Sequence, residues 1–397
     1  MLRPGDIGHL FLFILALLPA RVMRQQRRHL FLICESGAEA RDNGYWLFKF
    51  LREERPEVDA VYAIKRGSRE YEKVAKLGPT IEYGSFRHWI YYLAAEVNIS
   101  SQKYGKPNAA VCYLMEVVLG WLRNTRVFLQ HGVIKDDLPF LHYDKTKMSL
   151  FCCAAEREYV FVRDTFGYPS NVVQYVGLCR FDTLHKFEAE KNLLLIVPTW
   201  RMWLERNRRG NAREAFLQSQ YYRCWNELLQ SKSFATLLQR YGKRAVFCLH
   251  RNMESFETAF STDNPDISIL RWQEADVPEL LKQAGVMVTD FSSVAMDFAY
   301  MKKPLVYYQF DLEAFRSGHL PVGYFDYERD GFGDVCSRQE EVLAALEEIF
   351  QSDCMMKETY KARVERFFTM RDDKNCERTY TAVKEMLTQS KKRVKQS

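Results

Sequence analysis

A short polar segment, Asp290-Phe291-Ser292-Ser293, interrupts apolar sequence between residues 288 and 311. The run 285–289 before it is typical of a covered parallel strand, and apolar residues recur at helical spacing after it. We therefore expect a strand-to-helix turn, called the 290–293 turn below. At such a turn the first backbone N–H groups of the helix lack partners, and with the helix dipole they favour binding of a phosphate. Capping of the helix by the two serine hydroxyls is the alternative.

Three more polar side chains come at the ends of predicted strands. They are His131 after 125–130, Arg201 after 193–200 and His250 at the end of 244–250. Ligands of open α/β sheets collect at the carboxyl ends of the strands, so we expect these groups to line a binding site. An imidazole suits a general base at neutral pH, Gly132 beside it leaves room for close approach, and a guanidinium binds two phosphate oxygens. The alternatives are a histidine in a turn, an arginine in a surface salt bridge and a histidine that ends a strand.

The elements that position these groups alternate between strand and helix. The alternation runs from residue 30 to 130 and restarts after residue 190, which predicts two doubly wound, Rossmann-like α/β domains facing across a cleft. A length of 397 residues with 47% apolar and 27% charged residues fits two folded domains. The predicted segments are a membrane-associating stretch 1–28, an N-terminal Rossmann-like domain 29–188, a C-terminal Rossmann-like domain 189–376, and a C-terminal helix with a basic tail 377–397.

Charge and hydropathy at the two ends indicate a membrane surface as a partner. The apolar stretch 7–20 is shorter than the roughly 20 residues of a spanning helix, and it contains His9 and Pro19. Basic clusters follow it and close the chain: Arg21, Arg24, Arg27 and Arg28, then Lys391, Lys392, Arg393 and Lys395. We interpret the N-terminal stretch as an interfacial anchor, so that removal of residues 1–28 would release a folded protein from membranes. A core helix and a solvated tail are the alternatives.

Composition argues against other classes of protein. The net charge of +6 is modest, and no stripe of basic and aromatic residues predicts nucleic-acid binding. The ten cysteines form no Cys-x-x-Cys pair, which favours reduced thiols in a cytosolic compartment and no zinc site. No Asp-x-Asp or Walker motif occurs, so no metal site is predicted and no cofactor is required, although a diffusely bound Mg²⁺ is compatible with the sequence.

The sequence from about residue 30 to 350 resembles the CDP-glycerol glycerophosphotransferases, which build teichoic acid and related capsular phosphopolymers. The residues that carry the resemblance are Thr289, Asp290, Phe291, Ser292, Ser293, Asp297, Phe298, Ala299, Lys303, Pro304 and Asp311, with "QHGV" at 130–133, "PTWR" at 198–201 and "GYFDYE" at 323–328. The chain departs from the family pattern at Val133-Ile134, where Thr-Pro is common, and at Arg251, where Pro follows the histidine.

The resemblance implies a GT-B fold, with the nucleotide held by the C-terminal domain and the acceptor by the N-terminal one. It implies His131 as the general base. It also implies that donor phosphates are bound by Arg201, His250, Ser292 and Ser293, with Thr289, Asp290, Gly132 and Asp311 as supporting residues. Separately, Lys135 lies close enough to the base in sequence to attract a phosphorylated acceptor, although neighbouring aspartates fit a solvated loop equally well.

These observations predict a peripheral enzyme of the cytoplasmic membrane face. It would move glycerol phosphate from CDP-glycerol to a hydroxyl of a lipid-linked or polymeric acceptor and release CMP. Alternatives within the enzyme class are transfer of ribitol phosphate from CDP-ribitol, or of another polyol phosphate, and transfer of a sugar from a nucleotide sugar. A non-catalytic donor-binding scaffold at the membrane is the alternative from another class.

Overall fold

The computed structural model describes residues 3–186, 189–206, 212–271, 273–318 and 321–396. The chain forms two compact units. Unit 1 consists of Met1–Val133, Pro139–Asp182 and Met370–Ser397, and unit 2 of Ile134–Leu138 and Thr183–Thr369. Apart from the short segment 134–138, the chain enters unit 2 at residue 183, shortly before the predicted boundary at 188/189, and returns to unit 1 at residue 370.

Each unit is built on one parallel sheet, because short β-branched and aromatic runs alternate with amphipathic helices. The strands of unit 1 are β1 Phe31–Ile33, β2 Ala60–Ile64, β3 Thr80–Glu82, β4 Val97–Ser100, β5 Arg126–Phe128, β6 Leu150–Cys153 and β7 Val173–Tyr175. The strands of unit 2 are β8 Glu190–Val197, β9 Arg244–Cys248, β10 Ile267–Leu270, β11 Ala284–Thr289, β12 Leu305–Tyr308 and β13 Asp334–Cys336.

Helices connect the strands of both units. They are α1 Pro4–Gln26, α2 Asn43–Glu54, α3 Tyr71–Leu77, α4 Phe86–Ala94, α5 Ala109–Tyr113, α6 Tyr143–Thr146, α7 Glu156–Thr165, α8 Met202–Arg206, α9 Ala212–Leu217, α10 Gln220–Gln230, α11 Lys232–Arg240, α12 Val277–Gln283, α13 Val294–Tyr300, α14 Leu312–Gly318, α15 Tyr327–Asp330, α16 Gln339–Gln351, α17 Glu358–Phe367 and α18 Asn375–Gln396. A π-helix Leu114–Val118 and 3₁₀ helices Pro139–Leu141, Cys179–Lys186 and Arg251–Ala259 complete the set.

The two sheets share one order over six strands, and the sheet of unit 1 has a seventh strand at its end. The order is β3-β2-β1-β4-β5-β6-β7 in unit 1 and β10-β9-β8-β11-β12-β13 in unit 2. Both orders reverse direction beside the first strand, between β1 and β4 and between β8 and β11, where open α/β sheets bind ligands. The predicted pair of doubly wound α/β domains is confirmed. Their facing arrangement across a cleft stays a prediction.

Helix α1 is part of the core of unit 1. Its small or apolar residues Phe13, Ala16 and Ala20 are buried in one cluster with Trp89 of α4. The Trp89 indole nitrogen donates to Nδ1 of His9 at 3.2 Å. Helix α1 is therefore not an appended segment, because one of its faces covers the interior of unit 1.

The other face of α1 is exposed and apolar. Its exposed large side chains are Ile7, Phe11, Ile14, Leu15, Leu17, Leu18 and Val22. Among the described residues, Pro4–Gln26 is one helix that is long and apolar enough to cross a membrane by length and composition. Helix α1 thus has two apolar faces. One face packs against the core of unit 1, and the other is exposed.

Helix α18 also belongs to unit 1. The carboxylate of Asp182 accepts the backbone N–H groups of Asn375 at 2.8 Å and Cys376 at 2.9 Å. Tyr380 and Val383 then pack into the cluster that contains α2. The predicted separate segment 377–397 therefore differs from the structure, in which α18 completes the first unit. The side chains of Arg393 and Lys395 lie outside the described residues.

Candidate active site

In unit 1 the ring of His131 is held by the carboxylate of Asp42. The Nδ1 atom of His131 lies 2.6 Å from Oδ2 of Asp42, and the amide nitrogen of Gln102 lies 2.8 Å from the same ring atom. Asp42 follows β1, Gln102 follows β4 and His131 follows β5, so the group forms at the carboxyl edge of the sheet beside its switch point. A carboxylate beside Nδ1 favours a proton on that nitrogen and leaves Nε2 as the basic atom.

The charge of Asp42 sets the basicity of this ring. Desolvation opposes ionisation of the imidazole, but the charge and hydrogen bond of Asp42 outweigh it and raise the pKa of His131 above its ordinary 6.5. Burial alone would raise the pKa of Asp42, but His131 and Arg180 lower it below its usual value. The His131 side chain is 68% exposed, so its basic nitrogen is accessible to a substrate. The pair has the geometry of a general base with an orienting carboxylate.

Arg180 braces this pair from the opposite side. Its Nη1 atom donates to Oδ1 of Asp42 and to the backbone carbonyl of His131, both at 2.9 Å. Its backbone N–H donates to Oδ1 of Asn43 at 3.0 Å. Arg180 therefore links the loops after β1, β5 and β7 into one network.

Gln130 adopts an uncommon backbone conformation directly before His131. Its φ is +66°, in the left-handed region that residues other than glycine visit rarely. Its side chain donates to Glu158 at 2.9 Å, and its carbonyl accepts from the Asn43 side chain at 2.8 Å. Strained residues of this kind persist where the surroundings over-determine them. Here the hydrogen bonds of Gln130 with Glu158 and Asn43 fix the direction in which the chain leaves the sheet at His131.

A second buried carboxyl group lies beneath Asp42. Glu35, at the end of β1, accepts the backbone N–H groups of Arg41, Asp42 and Tyr45 at 3.1, 3.1 and 2.7 Å. Burial first, and then the charge of Asp42, raise the pKa of Glu35 to about 8. The raised pKa of Glu35 and the lowered pKa of Asp42 favour a proton on Glu35 and the negative charge on Asp42, which faces His131.

In unit 2 the predicted 290–293 turn follows β11, with Asp290 at its base. Oδ1 of Asp290 accepts the backbone N–H of Thr199 at 2.8 Å, which ties the end of β11 to the end of β8 across the switch point. Thr289 reinforces this tie through a hydroxyl that donates to the Val197 carbonyl at 2.6 Å. Asp290 and Thr289 are therefore structural supports of the turn.

Arg201 does not have the placement that a phosphate ligand requires. Its side chain is fully buried, with Nε and Nη2 donating to Asp311 at 2.8 and 2.9 Å and Nη1 donating to the Thr199 carbonyl at 2.7 Å. Nη2 also lies 2.8 Å from Asp290. The predicted phosphate fork is corrected to a buried clamp, because two carboxylates take the donors that phosphate oxygens would use. Asp311 is thereby a supporting residue.

Ser292 and Ser293 remain available at the turn. Both are half-buried, and Ser293 makes no side-chain hydrogen bond to cap α13. The hydroxyl of Ser292 accepts from the Val294 backbone at the long distance of 3.4 Å. Conventional capping is thus weak here, which leaves the hydroxyls able to donate to a ligand.

His250 lies at the end of β9, the neighbour of β8. Its Nδ1 accepts the Asn252 backbone N–H at 3.1 Å, and its ring stacks on Trp200 with centroids 6.1 Å apart. Because an acceptor nitrogen carries no proton, the neutral ring bears its proton on Nε2. His250 therefore lies at the same sheet edge as the 290–293 turn.

Lys135 differs from its predicted role at an acceptor site. Residues 134–138 belong to unit 2, where the buried ammonium of Lys135 pairs with Asp136 and lies 5.7 Å from the centre of the Tyr327 ring. The backbone carbonyl of Lys135 lies so close to Gly323 that a Cβ there would approach it to 2.3 Å. Lys135 is an internal ion-paired residue of unit 2, because its charge is already neutralised and covered.

Gly132 is half-buried in the loop that carries His131.

The model of one protein family matches most of the chain. That family is described as CDP-glycerol:poly(glycerophosphate) glycerophosphotransferase, and the match covers residues 17–385. The chain belongs to this family. The predicted resemblance is thereby confirmed.

Individual relatives agree with the family assignment. The minor teichoic acid biosynthesis protein GgaB of Bacillus subtilis is 30% identical over 373 residues, 91% of this chain and 40% of GgaB. A teichoic acid poly(glycerol phosphate) polymerase of Bacillus subtilis is 28% identical over 108 residues, 27% of this chain and 14% of that protein. The chain thus matches less than half of the length of these relatives.

A solved structure supports the fold of this family member. The wall teichoic acid polymerase TagF has a TM-score of 0.67 at 13% identity, covering 97% of this chain and 96% of that one. At this identity the likeness concerns the fold alone. It confirms the predicted two-domain, GT-B-type α/β architecture.

The sequence analysis missed the residues that orient His131. Asp42 and Arg180 carry no motif, and their partners lie far away in sequence. A signal was nevertheless present, because Asp42 is a polar residue in the segment between the first strand and the helix that begins at Asn43, and His131 also lies in a segment that follows a strand.

Proposed function

We propose that the chain transfers glycerol phosphate from CDP-glycerol to a hydroxyl of a lipid-linked or polymeric acceptor in teichoic acid synthesis, with release of CMP. The observation that carries the proposal is the Asp42–His131 pair, a base with an orienting carboxylate in a member of a glycerophosphotransferase family. A protein that only binds the donor has no need of an oriented, accessible base. CDPG is the compound soaked into a variant of the structural neighbour TagF.

The reaction follows from the chemistry of the pair. The acceptor hydroxyl loses its proton to Nε2 of His131 while its oxygen attacks the β-phosphorus of CDP-glycerol. The bond between that phosphorus and the bridging oxygen breaks, and its electron pair leaves with CMP. Asp42 stabilises the imidazolium that forms, and Arg180 keeps the carboxylate in place.

The leaving CMP needs charge stabilisation rather than a proton. Ser292, Ser293 and the Nε2–H of His250 are the groups that we assign to the donor phosphates, since all three lie at the carboxyl edge of one sheet. Arg201 contributes indirectly, because it holds Asp290 at the base of the turn.

The exposed apolar face of α1 supports attachment to a membrane surface. Phe11 and Leu18 are 68% and 71% exposed on this helix, while its opposite face is buried in unit 1. A helix with one face in the protein and one in the lipid lies along the interface. We assign the protein to the cytoplasmic face of the membrane, where it reaches lipid-linked acceptors.

The test is release of CMP from CDP-glycerol, compared with CDP-ribitol and a nucleotide sugar, with bacterial membranes as the acceptor. We expect release from CDP-glycerol and its loss in H131A. The matched control is H29A, because Nδ1 of His29 also lies 2.9 Å from a carboxylate, that of Glu96, next to the opposite end of β1. H29A should retain activity.

Other outcomes would contradict the proposal. Release from CDP-ribitol alone would assign a different polyol, and release of a nucleoside diphosphate from the nucleotide sugar would assign a glycosyltransferase. Binding of CDP-glycerol without release of CMP, when a polymeric acceptor has been supplied, would favour a non-catalytic scaffold.

A further inference from the structure

A second exposed apolar segment lies in unit 1, outside the candidate active site. Residues 118–121 carry Val118, Leu119 and Trp121, and Trp121 is the most exposed, at 74%, of the large apolar residues that the structure describes. An exposed tryptophan beside aliphatic residues is uncommon on a soluble surface and typical of groups that enter a membrane interface.

The segment is held rigidly. It follows the π-helix 114–118, in which the fully buried carboxylate of Glu116 pairs with Lys106 at 2.5 Å and Arg126 at 2.6 Å. The Tyr92 hydroxyl also donates to Glu116. A buried, ion-paired network of this kind favours one conformation of the π-helix that carries Val118.

Glycine at position 120 completes the turn. Its φ is +63°, and the backbone N–H of Trp121 donates to the Met115 carbonyl at 2.9 Å, as in a glycine-ended helix. Leu122 then packs against the core cluster of unit 1. Trp121 is thereby kept in solvent between two anchored points.

The helix that leads into this segment is linked to α1. The Asn108 side chain, which caps the helix leading into the π-helix, donates to Asp6 near the start of α1 at 2.9 Å. Met115 and Leu122 belong to or pack against the same cluster as Phe13 of α1. Basic residues stand beside both segments, including the exposed Arg21 and Arg123.

We infer that residues 118–121 form a second membrane contact, which inserts Trp121 and Val118 into the interface of a bilayer that contains anionic lipid. The inference rests on the proposed membrane attachment through α1, and it adds residues 118–121 as a second contact. A bilayer is the occupant favoured by the continuity with α1, a helix of membrane-like length and composition, and by the flanking arginines.

The test uses the full chain with vesicles of phosphatidylglycerol and phosphatidylethanolamine, some carrying bromine on the acyl chains. Bromine quenches tryptophans that reach the acyl region. We expect quenching in the wild type and loss of most of it in W121F, because Trp121 is the most exposed tryptophan among the described residues, whereas Trp46, Trp200 and Trp203 are half-buried and Trp89 and Trp225 are buried. We expect V118S/W121S to bind these vesicles about tenfold to 100-fold more weakly, since two buried apolar side chains are lost.

V160S is the matched control, because Val160 is an exposed valine of α7 in the same unit. It should bind like the wild type, and all variants should keep the wild-type thermal midpoint. Vesicle binding without quenching of Trp121 would overturn the inference. Association of copies in solution that V118S/W121S abolishes would overturn it too, by assigning the surface to a second copy.

The outcome is separable from that of the proposed reaction. CMP release with a detergent-solubilised acceptor should be the same in V118S/W121S as in the wild type. Failure of the wild type to release CMP would count against the reaction and leave the fluorescence result intact.

Discussion

Nδ1 of His131 lies 2.6 Å from Oδ2 of Asp42, a residue 89 positions earlier in the chain. The contact forms because β1 and β5 are parallel strands of one sheet and end at the same edge. A similar pair, His29 and Glu96, forms near the amino ends of β1 and β4. Position in the fold therefore separates His131, the proposed base at a ligand-binding edge, from the surface pair of His29 and Glu96.

The first prediction concerns Asp42. We expect D42N to lower kcat/KM by about 10²–10⁴-fold, because the amide favours the wrong tautomer and no longer stabilises the imidazolium. The base must be unprotonated, so wild-type kcat/KM falls as the pH drops through the raised pKa of His131. In D42N that pKa is lower, and the fall should move to lower pH. The measurement is a pH profile of CMP release.

E96Q is the control for this prediction, since it removes the carboxylate partner of His29. It should leave both the rate and the profile unchanged. A D42N profile that kept the wild-type midpoint would show that Asp42 does not act through the titration of His131.

The second prediction concerns Arg201. We expect R201L to lower the free energy of unfolding of unit 2 by about 3–5 kcal/mol, because it leaves Asp290 and Asp311 buried without a counter-charge. Urea unfolding of the full chain measures this change. R240L, which breaks the exposed pair with Glu347, should change it by at most about 1 kcal/mol. Unchanged stability with weaker CDP-glycerol binding would restore the phosphate-ligand role.

The third prediction concerns Ser293. Its hydroxyl does not cap α13, so S293A should leave the thermal midpoint unchanged. We expect KM for CDP-glycerol to rise about tenfold or more through loss of a hydrogen bond to a charged phosphate. S268A, at an exposed position of β10, should affect neither quantity. A lower thermal midpoint with unchanged KM would assign the hydroxyl a structural role.

The fourth prediction concerns the N-terminal helix. Deletion of residues 1–28 removes Phe13, Ala16 and Ala20 from the cluster around Trp89, so we expect an aggregated or poorly folded product. F11S/L18S alters the exposed face alone and should stay folded while losing vesicle binding. Circular dichroism, gel filtration and vesicle sedimentation measure these outcomes. A monomeric truncated protein with cooperative unfolding would instead support a separable anchor, as the sequence suggested.

The sequence by itself determined the fold class and the strand ends that carry polar groups. Alternation of β-branched runs with amphipathic stretches is a local property of the chain, and it predicted both sheets. It also placed His131, His250 and the 290–293 turn at the carboxyl ends of strands, where the structure has them. The motif 289–311 was specific enough to predict the family, which the family match confirmed.

Only the tertiary structure decided the partners of these groups. Arg201 looked like a phosphate ligand because local sequence cannot reveal that Asp311, 110 residues away, occupies its donors. Asp42 and Arg180 went unrecognised because their importance arises from a carboxylate, an imidazole and a guanidinium brought together from three loops. The packing of α1 against Trp89 was not predicted for the same reason. An apolar helix has the same sequence pattern whether it contacts lipid or the protein core. Sequence fixes where strands and helices form, whereas burial and charge pairing depend on which distant segments the fold makes neighbours.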